Sequence, residues 1–300
     1  MLRELAKFLV GNLVFASLLA VGLQTRFSDI IDAVRNPRLL WRALLVIEIV
    51  IPLLAILMVK LVATEPVPAG VVLLFSICPG VALLPFLVKM KGGRVPTALG
   101  LLLILTAIAP VTVPVWLSIL NRIFSVQFVA DPGVLVAKLV PTVLIPLAIG
   151  LAVRHFLPAA GDRIARWVNW FIIAAIAIAV VVVIAVGGKM LGQIEPLGAL
   201  GMFVIVGASM LLGHWAGGPT FVDRKAVAMA AALGNPALVL LIVKQSYPEL
   251  EVNALVMAYI LIRVVMMLPY HIWAKRKGKK LEKLTHTTRM DPGSALPRPV

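Results

Sequence analysis

Two apolar stretches of this chain, each long enough to cross a bilayer, are broken by proline near their middle. One break reads Cys78-Pro79-Gly80-Val81-Ala82-Leu83-Leu84-Pro85, the other Leu233-Gly234-Asn235-Pro236-Ala237-Leu238. Proline lacks the amide hydrogen of the helix ladder and its ring collides with the preceding turn, so a helix must kink or unwind at both places. Unwound backbone survives inside a bilayer only when it is buried in protein or lines a wet cavity. Paired breaks in the two halves of a membrane protein point to the binding site of a transporter. Each break also clusters proline with glycine or a polar residue. Pro52, Pro110, Pro114, Pro141 and Pro146, within other stretches, read as kink or packing sites.

The rest of the chain has the composition such breaks require. It is 61% hydrophobic and 14% charged, with a mean hydropathy of +1.05. Apolar runs recur at the ~20 residues that span a hydrocarbon core. Nine spans are expected, at 4–24, 39–63, 69–90, 95–119, 135–153, 165–187, 198–214, 225–244 and 252–273. They form an all-α polytopic domain over 1–274, followed by a basic tail over 275–300. The first span has no A-x-A-type cleavage site and a second span follows closely, so it reads as structure and not as a signal peptide. The one cysteine, Cys78, excludes an intrachain disulfide and a cysteine metal cluster.

The net charge of +15 is unevenly placed. With the N-terminus outside, 20 of the 28 Lys and Arg residues fall on the inner side and seven on the outer. The inner set includes Arg38, Arg42, Lys89, Lys91, Arg94 and the tail. This positive-inside pattern puts the N-terminus outside and the C-terminus in the cytoplasm. A plasma membrane is expected, a bacterial inner membrane being the simplest setting. The tail reads as a contact for anionic membrane lipid, and nucleic acid is not an expected partner. In this topology the third span runs inward and the eighth outward. The pair is antiparallel, the geometry of an inverted repeat with spans one to four in one half and five to nine in the other.

From Cys78-Pro79-Gly80 onward the chain resembles the bile acid:sodium symporter family. The family pattern C-P-G-G-x-x-S-N lies over Cys78 to Pro85, and E-x-G-x-Q-N-x-x-L over Ala230 to Leu238. Asn36-Pro37-Arg38-Leu39-Leu40 and Pro52 also look familial, and the resemblance covers about residues 5–278. It implies a panel of spans one, five and six against a core of spans two to four and seven to nine. The broken spans would cross in the core, and substrate would bind between panel and core near the crossing. In sodium-coupled members the Ser, Asn, Glu and Gln of these motifs supply sodium oxygens. Here those positions are Leu84, Pro85, Ala230 and Gly234, and only Asn235 keeps its type. The usual two-sodium site is therefore not expected, because a hard cation needs several oxygen ligands. No metal and no cofactor are expected.

Several residues remain that can do chemistry at depth. Half-helices starting after each break present N–H groups with partial positive charge, which suit a carboxylate or sulfonate. Ser76, Cys78, Pro79, Gly80, Pro85, Gly234, Asn235 and Pro236 form the expected crossover set. Asn235 either caps a helix end or contacts substrate. Glu48 and Arg263 are ionisable groups in mid-span and so functional candidates. They form a mutual ion pair, or Glu48 carries a coupling proton, or Arg263 holds the anionic group of the substrate. Asn12, Ser17 and Asn169 lie on panel spans, where they either line the cleft or make helix contacts.

The leading reading is a secondary transporter of small organic anions or amphipathic acids, working by alternating access. The alternative is a sodium-independent exporter resembling auxin-efflux carriers, whose broken helices also carry prolines at the crossing. A membrane scaffold would gain nothing from paired midplane breaks. An enzyme is not expected: no span pairs a nucleophile with a base, and no G-x-x-x-x-G-K-[ST] loop is present.

Overall fold

The structure, a computed structural model, describes residues 12, 15–25, 28, 31, 35–62, 66–80, 82–124, 128–129, 131–191, 196–246 and 253–290. Among them there are helices and connections but no strand. The helices are α1 (Phe15–Gln24) and α2 (Pro37–Val62), α3 (Pro66–Ile77), α4 (Leu84–Met90), α5 (Val95–Phe124) and α6 (Pro132–Phe156). They continue with α7 (Pro158–Leu191), α8 (Pro196–Ala216), α9 (Phe221–Ala232), α10 (Pro236–Ser246) and α11 (Asn253–Met290). Among the described residues, five stretches are long and apolar enough to cross a membrane: Pro37–Val62, Val95–Phe124, Pro132–Phe156, Ala199–Ala216 and Phe221–Val243. The last of these runs across the second proline break.

Helix starts follow the chemistry of their first residues. Proline opens α2, α6 and α10, where its missing amide would have had no partner. A polar residue just before the helix binds the next free amides. Asn36 Oδ1 accepts from Leu39 N at 3.2 Å, and Asp131 Oδ1 from Gly133 N at 2.7 Å. At the other end of the chain, α11 continues past 274 without interruption, because Lys, Arg and Leu, which dominate the sequence there, are good helix formers. Its 38 residues span about 57 Å at the helical rise, well beyond the ~30 Å of a hydrocarbon core. The tail expected from 275 is thus a helical extension as far as Met290, and 291–300 lie outside the described residues.

Pro52 leaves a mark inside α2. In a regular helix the carbonyl of Glu48 would accept from residue 52, which has no amide hydrogen. The helix widens to a π turn over Val46–Val50, in which Ile51 N reaches Val46 O. The orphaned Glu48 carbonyl accepts instead from Trp116 Nε1 of α5, at 2.8 Å.

The interior is mostly apolar, with Glu48, Asp223 and Arg263 as buried charged exceptions among the described residues. One cluster joins α2, α3, α5, α8, α10 and α11 around Phe75, Val113, Leu117, Val239 and Tyr259. A second packs α2, α4, α5, α8 and α9 around Val46, Leu84, Leu101 and Met229. A third brings α1, α6 and α7 onto Phe86 of α4 and Leu99 of α5. Small residues let backbones touch. A Cβ on Gly22 of α1 would lie 2.5 Å from Leu147 O, and one on Gly150 of α6 would lie 2.5 Å from Leu19 O. Close glycine crossings of this kind are how membrane helices gain dispersion contacts without a hydrophobic drive between them. Buried Asp223 ties the start of α9 to that of α5: its carboxylate accepts from Thr97 Oγ1 at 2.5 Å, from Thr220 Oγ1, and from Arg94 Nη1 at 3.4 Å.

Candidate functional site

The two proline breaks meet. Between α3 and α4 the chain is non-helical at residues 78–80 and 82–83, and between α9 and α10 over 233–235. Asn235 N donates to Cys78 O at 2.7 Å, and Asn235 Nδ2 to Gly80 O at 3.4 Å. The carbonyls freed by one break are therefore satisfied by the other. Asn235 Oδ1 meanwhile accepts from Leu238 N at 3.2 Å and caps α10. One side chain thus serves both readings of a helix cap and a cross-break contact. Gly80 adopts φ +84°, a left-handed conformation that favours glycine, with the Leu105 Cβ 3.3 Å from where its own would be. Pro85 sits in the first turn of α4 and Pro236 opens α10, so each proline starts the half-helix after its break. Pro79 lies within the unwound segment. Cys78 is wholly buried, and Ser76 Oγ donates to Leu73 O within its own helix at 2.6 Å.

Arg263 reaches this junction from α11. Its Nη1 donates to Ala232 O, the last carbonyl of α9, at 2.6 Å. Its guanidinium lies over Phe75 at 4.6 Å and over Tyr259 at 4.8 Å. The group is 8% exposed, and its Nε has no hydrogen-bond partner. Gly234 is glycine for a reason visible here. A Cβ would meet Phe75 Cδ1 at 2.6 Å, Arg263 Nη1 at 2.9 Å and Phe75 O at 2.9 Å. The volume a side chain at 234 would fill is held by the arginine and the phenylalanine.

The ion pair expected as one role of Glu48 and Arg263 is not formed. Arg263 spends its donor on the Ala232 carbonyl, while Glu48, on the π turn of α2, keeps Oε1 buried and without a hydrogen-bond partner. Thr112 Oγ1 of α5 is likewise buried, and it faces the Glu48 carboxyl. The π turn and the Trp116 contact were missed from sequence, although Pro52 four residues after Glu48 was the available signal.

The three residues expected to line a cleft are dispersed. Ser17 is fully buried in α1 and Asn12 is exposed. Asn169 of α7 accepts from Gln24 Nε2 at 3.5 Å. Gln24 also accepts from Lys89 Nζ of α4. Beside this link a cavity of about 180 Å³ opens between α1, α4 and the start of α5, lined by Val21, Thr25, Phe86, Lys89, Pro96 and Leu99 among others. Neither Gln24 nor Lys89 was singled out from sequence as a site residue. A polar residue at the end of one apolar stretch and a lysine at the end of another were too common a pattern to select.

Helices without a strand, and five stretches long and apolar enough to cross a membrane among the described residues, define an integral membrane protein. The model of the Sodium Bile acid symporter family matches residues 12–194, and the chain belongs to that family. Its members are membrane transporters of organic anions and related solutes, not enzymes. The matched region contains the first break; the second, at 233–235, lies beyond it. No curated protein matches the chain.

Proposed function

We propose that this chain is a secondary transporter of small organic anions or amphipathic acids, working by alternating access without sodium at the family's usual site. One observation carries the reading: a buried guanidinium, with no carboxylate partner among the described residues, stands where the two breaks meet. An unpaired charge at depth is costly unless something compensates it. A carboxylate or sulfonate arriving at the junction would do so, and the amides at the start of α10 would add to the attraction.

The same group accounts for sodium. The positions that the resemblance assigns to sodium oxygens hold Leu84, Pro85, Ala230 and Gly234, which have none in their side chains. The space beside Gly234 is taken by Arg263 Nη1, which donates to the Ala232 carbonyl that a cation would otherwise seek. In this reading the arginine is a resident cation, and sodium would meet both its bulk and its charge.

The remaining parts follow. Spans 4–24, 135–153 and 165–187 act as a panel that rocks against a core made of the other six. The broken spans form an inverted pair, and the N-terminus faces outward. Glu48, buried with a free oxygen, is the group to carry a coupling proton. Prolines that open both half-helices, with no sodium oxygens beside them, also fit a sodium-independent exporter of the same architecture.

The test is the thermal stability of the purified protein across sodium chloride concentrations, with ionic strength held constant by potassium chloride. A ligand that binds only the folded state raises its stability. No sodium-specific rise is expected. A saturable rise would overturn the resident-cation reading, because it requires oxygens that rebuild a sodium site despite Arg263.

A further inference from the structure

The end of α8 with His214, the start of α9 with Phe221 and the middle of α11 with Trp273 form a cluster that the transport reading does not use. His214 Nδ1 and Tyr270 OH share a hydrogen bond of 2.8 Å. The His214 ring is 5.4 Å from that of Trp273 and 5.9 Å from that of Phe221, which is itself 5.9 Å from Trp273. Two ammonium groups sit on these rings. Lys277 Nζ is 4.9 Å from Trp273 and 5.5 Å from Phe221, and Lys225 Nζ is 5.5 Å from the same Phe221.

Two features make this cluster more than a belt of interfacial aromatics. First, its charge is all of one sign. The charges acting at His214 are Arg224 and Lys277, and those at His271 are Lys91 and Lys225. The neighbouring carboxylate, Asp223, is 3% exposed and already taken by Thr97, Thr220 and Arg94. Second, apolar side chains run from the cluster along the outer faces of the same helices. Leu211 and Trp215 of α8 and Leu268 and Ile272 of α11 are between 50% and 72% exposed. Cations at the end of a membrane-length helix, above an open apolar face, present charge to a headgroup and surface to its chains.

We propose that this cluster is a binding site for the headgroup of an anionic phospholipid. Charge complementarity selects the class. The phosphodiester of any phospholipid would be drawn to Lys225 and Lys277. A zwitterionic lipid brings its own cation, and among the described residues the site has no free carboxylate to receive it. The aromatic faces that would otherwise hold a choline group are already covered by the lysines. A lipid with net negative charge meets neither obstacle. The inference does not depend on what the protein transports.

The test uses the full chain in vesicles of dioleoyl phosphatidylcholine containing equal mole fractions of either brominated phosphatidylglycerol or brominated phosphatidylcholine. Bromine quenches nearby tryptophan, and the part due to Trp273 is the difference from Trp273→Phe. Each lysine near the headgroup is expected to favour the anionic lipid about fivefold, so the preference at this site should be roughly 20- to 30-fold. Lys225→Met with Lys277→Met should abolish it, and Lys225→Arg with Lys277→Arg should keep it, which separates charge from folding. Equal quenching by the two lipids, or a preference that survives the methionine pair, would overturn the proposal. So would displacement of phosphatidylglycerol by millimolar inorganic phosphate at constant ionic strength, because the site would then recognise free phosphate.

Discussion

Gly234→Ala adds one methyl group where the two breaks meet, and its cost can be worked from the contacts. The new Cβ would stand 2.6 Å from Phe75 Cδ1 and 2.9 Å from both Phe75 O and Arg263 Nη1. Carbon atoms in contact settle at about 3.5–4.0 Å, so a neighbour must move by roughly an ångström. Phe75 O belongs to the backbone of α3 and is poorly placed to yield; the guanidinium end of Arg263 can. If the arginine stays, the junction is overpacked, at a cost of about 1–3 kcal/mol. If it swings away, it loses its bond to Ala232 O, worth about 1.5–3 kcal/mol for a charged donor. These are alternatives and the cheaper prevails, so the expected loss is about 1–3 kcal/mol, or roughly 2–12 °C in thermal midpoint. Gly234 lies outside the helices, and no gain in helix propensity offsets the loss. Gly278→Ala is the control. Nothing lies within 4 Å of its Cβ position in α11, and it should stabilise by about 0.5–1 kcal/mol. Thermal unfolding in detergent, followed by intrinsic fluorescence, measures both. The decisive comparison repeats Gly234→Ala in an Arg263→Met background. If the methyl group displaces the guanidinium, the double variant loses less than the two single losses combined, with a coupling of about 0.5–3 kcal/mol. Strict additivity, or an alanine variant as stable as the parent, would refute the reasoning.

Three further outcomes are expected. Asn235→Leu removes the cap of α10 and the donor to Gly80 O, lowering stability by about 1–2 kcal/mol while abolishing uptake of short carboxylates into proteoliposomes; uptake at the parent rate would exclude Asn235 from the pathway. Gly150→Val drives side-chain atoms into Leu19 O, Gly22 Cα and Leu23 N of α1, and the loss should exceed about 3 kcal/mol, read as a failure to elute as a single species in detergent. Trp116→Phe leaves the Glu48 carbonyl without its donor, at about 1–3 kcal/mol; Pro52→Ala, which restores an amide to that carbonyl, should recover most of the midpoint in the double variant.

The places where the helices break were legible because proline removes a donor whatever surrounds it. Pro79, Pro85 and Pro236 therefore placed both interruptions to within a few residues. Asn235 could be singled out for a similar local reason: an amide side chain just before a proline-opened helix is a natural cap, and it caps α10. What lay beyond reach was partnership between distant elements. Nothing local tells Arg263 to prefer the Ala232 carbonyl over Glu48, or shows that Gly234 is small because a guanidinium fills its space. The contact of Gly22 with Gly150 is hidden for the same reason, since each glycine alone is an ordinary residue of a membrane helix. The length of α11 was underestimated because hydropathy marks where the apolar surface stops, and a helix continued by Lys, Arg and Leu does not stop there.

Cys78 is the one thiol of the chain, and it lies wholly buried against the partner break, its carbonyl bonded to the Asn235 amide. A water-soluble maleimide cannot reach the sulfur while the junction is closed. If the junction parts in every cycle, the sulfur is offered to the reagent each time, and the rate of capture in the folded protein counts the partings. The unaltered chain thus contains its own clock. A solute that speeds or slows that clock without unfolding the protein identifies itself as one the junction recognises, before any transport has been measured.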